Sequence, residues 1–324
     1  MFDFGPGFAL LATPAILFFF LGTAAAFARS DLVVPEPVAK ALSLYLMLCI
    51  GFKGGAEARA AGLHADFIVA ASLGVALSAV APMLVYGFLK RFSKLDRPTI
   101  CAHAATYGSV SVVTFAAGRE YLTAIGMAPG GYMAAVLALM ETPAILTALV
   151  LLNGADAGGP GQRRALFGRV LFGAATVMLL GSFIVGFTSG PSGMAKLDLF
   201  IGPLFQGALC FFLLDIGLAA ARRLMAGGRK LTPTLLGFAV AFPILSALVT
   251  LGVARMVGLT VADGALLAIL AASASYIAAP AAMRLAAPEA DEGVYVTSSL
   301  AVTFPFNLTV GIALYAACAA WLWE

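Results

Sequence analysis

Ala271-Ala272-Ser273-Ala274-Ser275-Tyr276-Ile277-Ala278-Ala279-Pro280 interrupts an otherwise apolar segment. Two serines, a tyrosine and a proline sit near the middle of a stretch long enough to cross a bilayer. Proline lacks an N–H and clashes with the preceding helical turn, so a helix is predicted to break at Pro280. An earlier stretch, Gly108-Ser109-Val110-Ser111-Val112-Val113-Thr114-Phe115, has the same character. There Gly108 is the expected breaker, and the hydroxyls of Ser109, Ser111 and Thr114 are suited to the backbone groups a break sets free. Irregular backbone at membrane depth is tolerated only where protein or a water-filled cavity satisfies it. The two stretches are therefore expected to be broken transmembrane helices that meet.

Composition supports the membrane setting. The chain is 62% hydrophobic and 11% charged, against roughly 45–50% and 25% in soluble domains. So little polar surface cannot coat a soluble globule, and an all-α integral membrane protein, in contact with the lipid bilayer, is expected. The net charge of +3 includes no basic run that would point to nucleic acid. Cys49, Cys101, Cys210 and Cys318 are isolated, without metal or redox spacing. Two histidines, His64 and His103, are too few for a metal centre. Ala24-Ala25-Ala26 has the look of a signal-peptidase site, but Asp3 precedes it and no Lys or Arg does. A signal peptide needs a positive n-region, so the first apolar run is read as a span.

Ten segments approach the roughly 20 apolar residues that a spanning helix needs: 9–28, 38–54, 66–89, 99–117, 131–152, 166–188, 200–221, 232–257, 264–286 and 294–322. The gaps after segments 1, 3, 5, 7 and 9, taken with the segment ends that flank them, carry two, four, three, four and one Lys or Arg; the opposite side, counted in the same way, carries five in all. The positive-inside rule puts the richer side in the cytoplasm and both termini outside.

Short matches recur in order between the halves. Leu21-Gly22-Thr23 pairs with Leu180-Gly181-Ser182, Ile50-Gly51 with Ile216-Gly217, and Leu77-Ser78-Ala79 with Leu245-Ser246-Ala247. Ser109-Val110-Ser111 pairs with Ser273-Ala274-Ser275, and Tyr132 with Tyr295. The offsets lie between 159 and 168 residues. A duplication follows: residues 1–153 as one five-helix repeat, 154–164 as a cytoplasmic linker, 165–324 as a second. An odd number of spans per repeat makes the two halves inverted, an arrangement of secondary transporters.

Helix N-termini that meet at a double break carry partial positive charge and free N–H donors, which suits a small anion. The expected anion-binding residues are Gly108, Ser109, Ser111, Ser273, Ser275 and Tyr276. Carbonyls freed by the same breaks suit Na⁺. Small residues and serine also favour close helix packing, which is the competing explanation. Glu141, in Met140-Glu141-Thr142-Pro143, lies within segment 5; a carboxylate there is costly and by default functional or paired. Thr114, Glu141, Ser298, Ser299, Thr303 and Asn307 are the candidate cation or coupling residues, the last four surrounding Pro305. Asp215 is read as structural, near Arg222. His103 is read as a packing residue, and Lys53 as snorkelling to the interface. No nucleophile elbow, metalloprotease helix or phosphate loop is present, so no enzyme is expected.

Ile50-Gly51-Phe52-Lys53-Gly54-Gly55, the Gly108–Thr114 stretch, Glu141-Thr142-Pro143, the segment 9 serines with Pro280, and Tyr295-Val296-Thr297-Ser298-Ser299 with Pro305 resemble the sodium-dependent bicarbonate transporter family of cyanobacteria and other bacteria. The resemblance covers nearly the whole chain. It implies a bacterial inner-membrane protein with a gate subdomain from segments 1, 2, 6 and 7 and a core subdomain from the rest, crossed at helices 4 and 9. It implies Na⁺-coupled bicarbonate uptake by an elevator-like motion, Na⁺ as the coupling ion, and a homotrimer. Family members carry aspartate directly after the segment 9 serines, where this chain has Tyr276, and aspartate where it has Glu141. The long cytoplasmic linker of some members is absent here, so the resemblance does not carry over regulation by a nitrogen-regulatory-type signalling partner. Three readings stand: Na⁺-coupled bicarbonate uptake, H⁺- or Na⁺-coupled transport of another small organic anion, and a sensor or scaffold that keeps the fold without transport.

Overall fold

The computed structural model describes residues 13–62, 65–153 and 172–324. The expected linker at 154–164 lies outside the described residues, as do the first residues of the spans expected at 9–28 and 166–188. Among the described residues all regular structure is helical. In order the helices are α1 (Pro14–Phe27), α2 (Glu36–Ala61), α3 (Ala65–Phe92), α4 (Arg97–Gly108), α5 (Val112–Ala124), α6 (Met133–Asn153), α7 (Ala174–Lys196), α8 (Pro203–Gly227), α9 (Pro233–Met256), α10 (Val261–Ala271), α11 (Ala278–Ala286) and α12 (Glu292–Trp323). Among the described residues eight helices are long and apolar enough to cross a bilayer, with α4 and α5 counted together; α1 and α10 are shorter apolar helices.

Polarity is distributed as lipid requires. Ile68, Leu84, Leu245, Val249 and Met256 stand more than half exposed on the outside. His103, Ser109, Ser111, Glu141, Ser273 and Asn307 are buried inside. A soluble monomer rarely exposes so much contiguous apolar surface, whereas a bilayer favours it. The protein is a multi-pass membrane protein.

Two helix pairs are packed backbone to backbone: α1 with α8, and α2 with α7. Without a hydrophobic drive between helices in lipid, small residues supply the contact. A Cβ on Gly22 would collide with the Leu214 carbonyl, and one on Gly217 with the Phe19 carbonyl. Gly55 and Gly186 do the same between α2 and α7. Gly22 and Gly186 thus share a role, 164 residues apart. Gly181, which the triplet match aligns with Gly22, has open space around it. In the α2–α7 pair Gly186, rather than Gly181, makes the close backbone contact.

The remaining helices pack as α3 with α4 and α6, α4 with α6, α9 with α10 and α12, and α10 with α12. Exchanging α1–α6 for α7–α12 in order maps all these pairings onto one another. The fold centres on the two interrupted helices: α4 and α5 are buried along nearly their whole length, and so is α10.

Both interruptions fall away from their expected breakers. Gly108 is the last helical residue of α4, and the extended residues are Ser109 and Ser111. Gly108 is needed for packing, since a Cβ there would reach 2.4 Å from the Pro82 ring. In the second interruption α10 ends at Ala271 and α11 begins at Ala278. Pro280 lies in the first turn of α11, where its missing N–H costs nothing. Pro305 breaks nothing either: π-helical turns at Thr297–Thr303 and Asn307–Gly311 absorb it within α12.

Each interrupted helix is tied near its start to the loop before the last span of the opposite half of the chain. Asp263 of α10 accepts from Gly130 N (2.7 Å), Tyr132 Oη (2.7 Å) and Thr260 Oγ1 (2.8 Å). Thr99 of α4, 164 residues earlier, accepts from Asp291 N at 2.9 Å. Asp263→Ala strands Gly130 and the Tyr132 hydroxyl, so a loss on the order of 3 kcal/mol is expected from unpaired partners of a charged acceptor. A lower melting midpoint of the purified chain checks this, with Asp31→Ala, exposed between α1 and α2, as the control.

Candidate functional site

The site is assembled from two strips of non-helical backbone. Ser111 is the N-cap of α5; its Oγ accepts from Thr114 N at 3.2 Å. Ser275 plays the same part for α11, its Oγ accepting from Ala279 N at 3.2 Å. A small hydroxyl next to a helix start satisfies one of the donors left open there. That is why both interruptions carry serine.

The strips are then laced together. Ser111 N donates to Ser273 Oγ (2.9 Å), and Ser273 Oγ donates onward to Leu270 O (2.7 Å). Ser275 N donates to Thr106 O at 2.9 Å. Ser111 Oγ and Tyr276 Oη lie 3.4 Å apart, and the Tyr276 ring meets Phe304 edge-on at 5.4 Å between centroids. The freed backbone therefore finds its partners in the opposite half of the chain.

One small cavity, of about 20 Å³, lies where the starts of α5 and α11 converge. Ser111, Val112, Val113, Ser275, Tyr276 and Ala278 bound it on one side. Ser43 and Met47 of α2, Phe212 of α8 and Glu141 of α6 close it. Among the described residues no acceptor takes the N–H of Val112, Val113 or Ala278. Donors and two helix dipoles thus face one space, which gives it a positive potential. Glu141 is buried at the rim, its Oε2 3.4 Å from the Thr176 hydroxyl.

The other predicted residues do not line this space. Gly108, Ser109 and Ser273 stand behind the cavity wall. Thr114 is the capped residue of α5. Asn307 Nδ2 donates to Ala272 O at 2.8 Å and its Oδ1 accepts from Tyr315 Oη at 2.9 Å, so it clamps the end of α10. Thr303 donates to Ala239 O (2.6 Å) and accepts from Tyr107 Oη (2.8 Å), joining α4, α9 and α12. Ser298 and Ser299 donate to Val294 O and Val296 O of their own helix. None of these four α12 residues lines the cavity. His103 is fully buried, 3.1 Å from Thr99 O and 3.4 Å from Ser298 Oγ. Arg222 donates to Leu32 O at 2.6 Å rather than bonding Asp215.

Sequence reasoning missed Ser43, Met47 and Phe212, which come from unbroken helices and carry no local signal. It also missed Thr106. Thr106 Oγ1 and Ser109 Oγ are buried without a hydrogen-bond partner among the described residues. Thr106 lies in the last turn of α4 and Ser109 is the first extended residue after it. They sit at the C-terminal, negative end of α4.

No curated protein matches the chain. The family described as the Na⁺-dependent bicarbonate transporter superfamily matches residues 14–320. With nearly the entire chain matched, and two interrupted helices laced together at its centre, the protein belongs to the Na⁺-dependent bicarbonate transporter superfamily.

Proposed function

We propose that this protein is a secondary transporter taking up bicarbonate, or a similarly small anion, together with Na⁺ across a bacterial inner membrane. The observation that carries the proposal is the cavity bounded by the starts of both α5 and α11. Donors from two half-helices aimed at one point suit an anion. Ser111, Ser275 and Tyr276 supply directional hydroxyls. The buried, unpartnered oxygens of Thr106 and Ser109 suit Na⁺, which prefers oxygen ligands, and the negative end of α4 adds to the attraction.

At about 20 Å³ the cavity accepts roughly one water molecule. Bicarbonate, with four heavy atoms, enters only if α2 and α8 part from the interrupted helices. That favours alternating access in which α3–α6 and α9–α12 move as a core against a gate of α1, α2, α7 and α8. The mirrored helix pairings support ten spans in two inverted repeats. Two ion-pair clusters join the proposed units, Arg119 with Glu57 and Arg223 with Glu292 (3.0 Å), and would separate in such a motion. The homotrimer implied by the family remains part of this proposal.

A second reading has H⁺ as the coupling ion. It is favoured by Glu141, a buried carboxyl at the cavity rim, and by Tyr276 in place of a carboxylate. Proteoliposome uptake separates the readings. Labelled bicarbonate is expected to accumulate faster with an inward Na⁺ gradient than without one. Uptake indifferent to Na⁺ but abolished by collapsing a proton gradient replaces Na⁺ with H⁺; anion binding with no flux makes the chain a sensor. Glu141→Gln is expected to leave Na⁺-driven uptake within about three-fold of wild type, and to lower proton-driven uptake at least ten-fold, about 1.4 kcal/mol.

A further inference from the structure

We propose that the crevice between α3 and α9 holds one acyl chain of an anionic membrane phospholipid. The crevice has a volume of about 630 Å³ and lies on the opposite side of the crossing from the anion cavity. Its floor is Tyr107 and Gly108 at the end of α4 and Ala271 at the end of α10. The occupant therefore presses on the back of both interrupted helices.

The walls decide the chemistry. Apart from Thr234 near the mouth, the hydroxyls that face the crevice are already spent inside the protein. Ser246 donates to Ala271 O at 2.7 Å, Ser78 donates to Met140 O, and Tyr107 donates to Thr303. What remains is apolar, and water needs two to four polar partners to be held. The crevice opens to the surroundings between Leu84 of α3 and Leu245 of α9, each 61% exposed. In a bilayer those surroundings are lipid tails.

Length and charge select the occupant. From Leu77 to Phe88 the α3 wall runs about 16 Å at 1.5 Å per residue. One leaflet of a roughly 30 Å hydrocarbon core is about 15 Å deep, so a single tail fits along it. Just beyond Phe88 stand Lys90, Arg91 and Lys94, all exposed and none ion-paired among the described residues. Lys90 and Arg91 rest over the rings of Tyr86 and Phe92. The Lys and Arg count places this end in the cytoplasm. An anionic headgroup there sits beside three cations while its tail runs down to the crossing.

The experiment is native mass spectrometry of the purified full chain, exchanged with phosphatidylglycerol or phosphatidylcholine of equal chain length. Wild type is expected to retain one phosphatidylglycerol in preference to phosphatidylcholine. Gly237 lines the crevice with nothing within 4 Å of an added Cβ, so Gly237→Phe is expected to fold and to lose the bound lipid. Ala241→Phe, on the same wall, gives the same result if Gly237→Phe misfolds. Lys90→Ala with Arg91→Ala is expected to cut the preference about 25-fold, five-fold for each cation near the surface. Equal retention of the two lipids by wild type, or unchanged retention by a folded crevice-filling variant, overturns the proposal. Bicarbonate uptake plays no part in this readout, so the lipid site stands or falls separately from the transport reading.

Discussion

Gly217→Leu is expected to leave almost no folded protein in the membrane. The added Cβ meets the carbonyl of Phe19, which belongs to the backbone of α1 and cannot rotate aside. The two helices can relieve the clash only by moving apart. Because Gly22 packs reciprocally on Leu214, that separation empties both contacts at once. Overpacking ordinarily costs about 1–3 kcal/mol, and a collision of backbone with backbone lies at or beyond the upper end. Gly181→Leu is the control. It faces open space, and replacing a mid-helix glycine gains up to about 1 kcal/mol of helix propensity. The yield of monodisperse protein and its melting midpoint distinguish the two. Equal behaviour of the variants contradicts the close-packed α1–α8 pair.

The double substitution Ser111→Ala with Ser275→Ala is expected to lower the apparent affinity for bicarbonate in uptake assays about 100-fold. Each serine borders the cavity, and each loss removes one hydroxyl available to the anion. A hydrogen bond worth about 1.4 kcal/mol corresponds to a factor of ten. Each substitution also removes a hydroxyl that accepts from a first-turn N–H of α5 or α11, at a cost of about 1 kcal/mol. The variant is thus destabilised but folded, and a melting curve verifies that before uptake is read. Ser298→Ala with Ser299→Ala is the matched control. Those hydroxyls bond to their own helix and lie off the cavity, so affinity within about three-fold of wild type is expected. If the two double variants lose affinity alike, the anion does not sit between α5 and α11.

Much of this arrangement was legible in the sequence. Composition and the lengths of the apolar runs were enough for a multi-pass helical membrane protein. Ser109–Ser111 and Ser273–Ser275 marked both interruptions, because a hydroxyl is what an exposed helix start needs. Register was less legible. Gly108 and Pro280 looked like breakers, yet one is a packing residue and the other an ordinary first-turn proline. Propensity describes what a residue permits, and the tertiary contact chooses among the permitted uses. The α12 residues show the same limit. Asn307 and Thr303 were visible as polar residues in an apolar run, but clamping Ala272 and Ala239 is a matter of which helix lies opposite. Ser43, Met47 and Phe212 belong to unbroken helices, and only assembly brings them to the site.

Tyr276 remains the residue on which the chemistry turns. It occupies the cavity wall and puts its hydroxyl beside Ser111, where the family resemblance implies a carboxylate. The most direct measurement is an electron cryomicroscopy map of the full chain in lipid nanodiscs with saturating bicarbonate and Na⁺. Anion density is expected between the starts of α5 and α11, in contact with Ser111, Ser275 and Tyr276, in a cavity widened by withdrawal of α2 and α8. Anion density elsewhere, or an unfilled crossing in a preparation that transports bicarbonate, contradicts this placement.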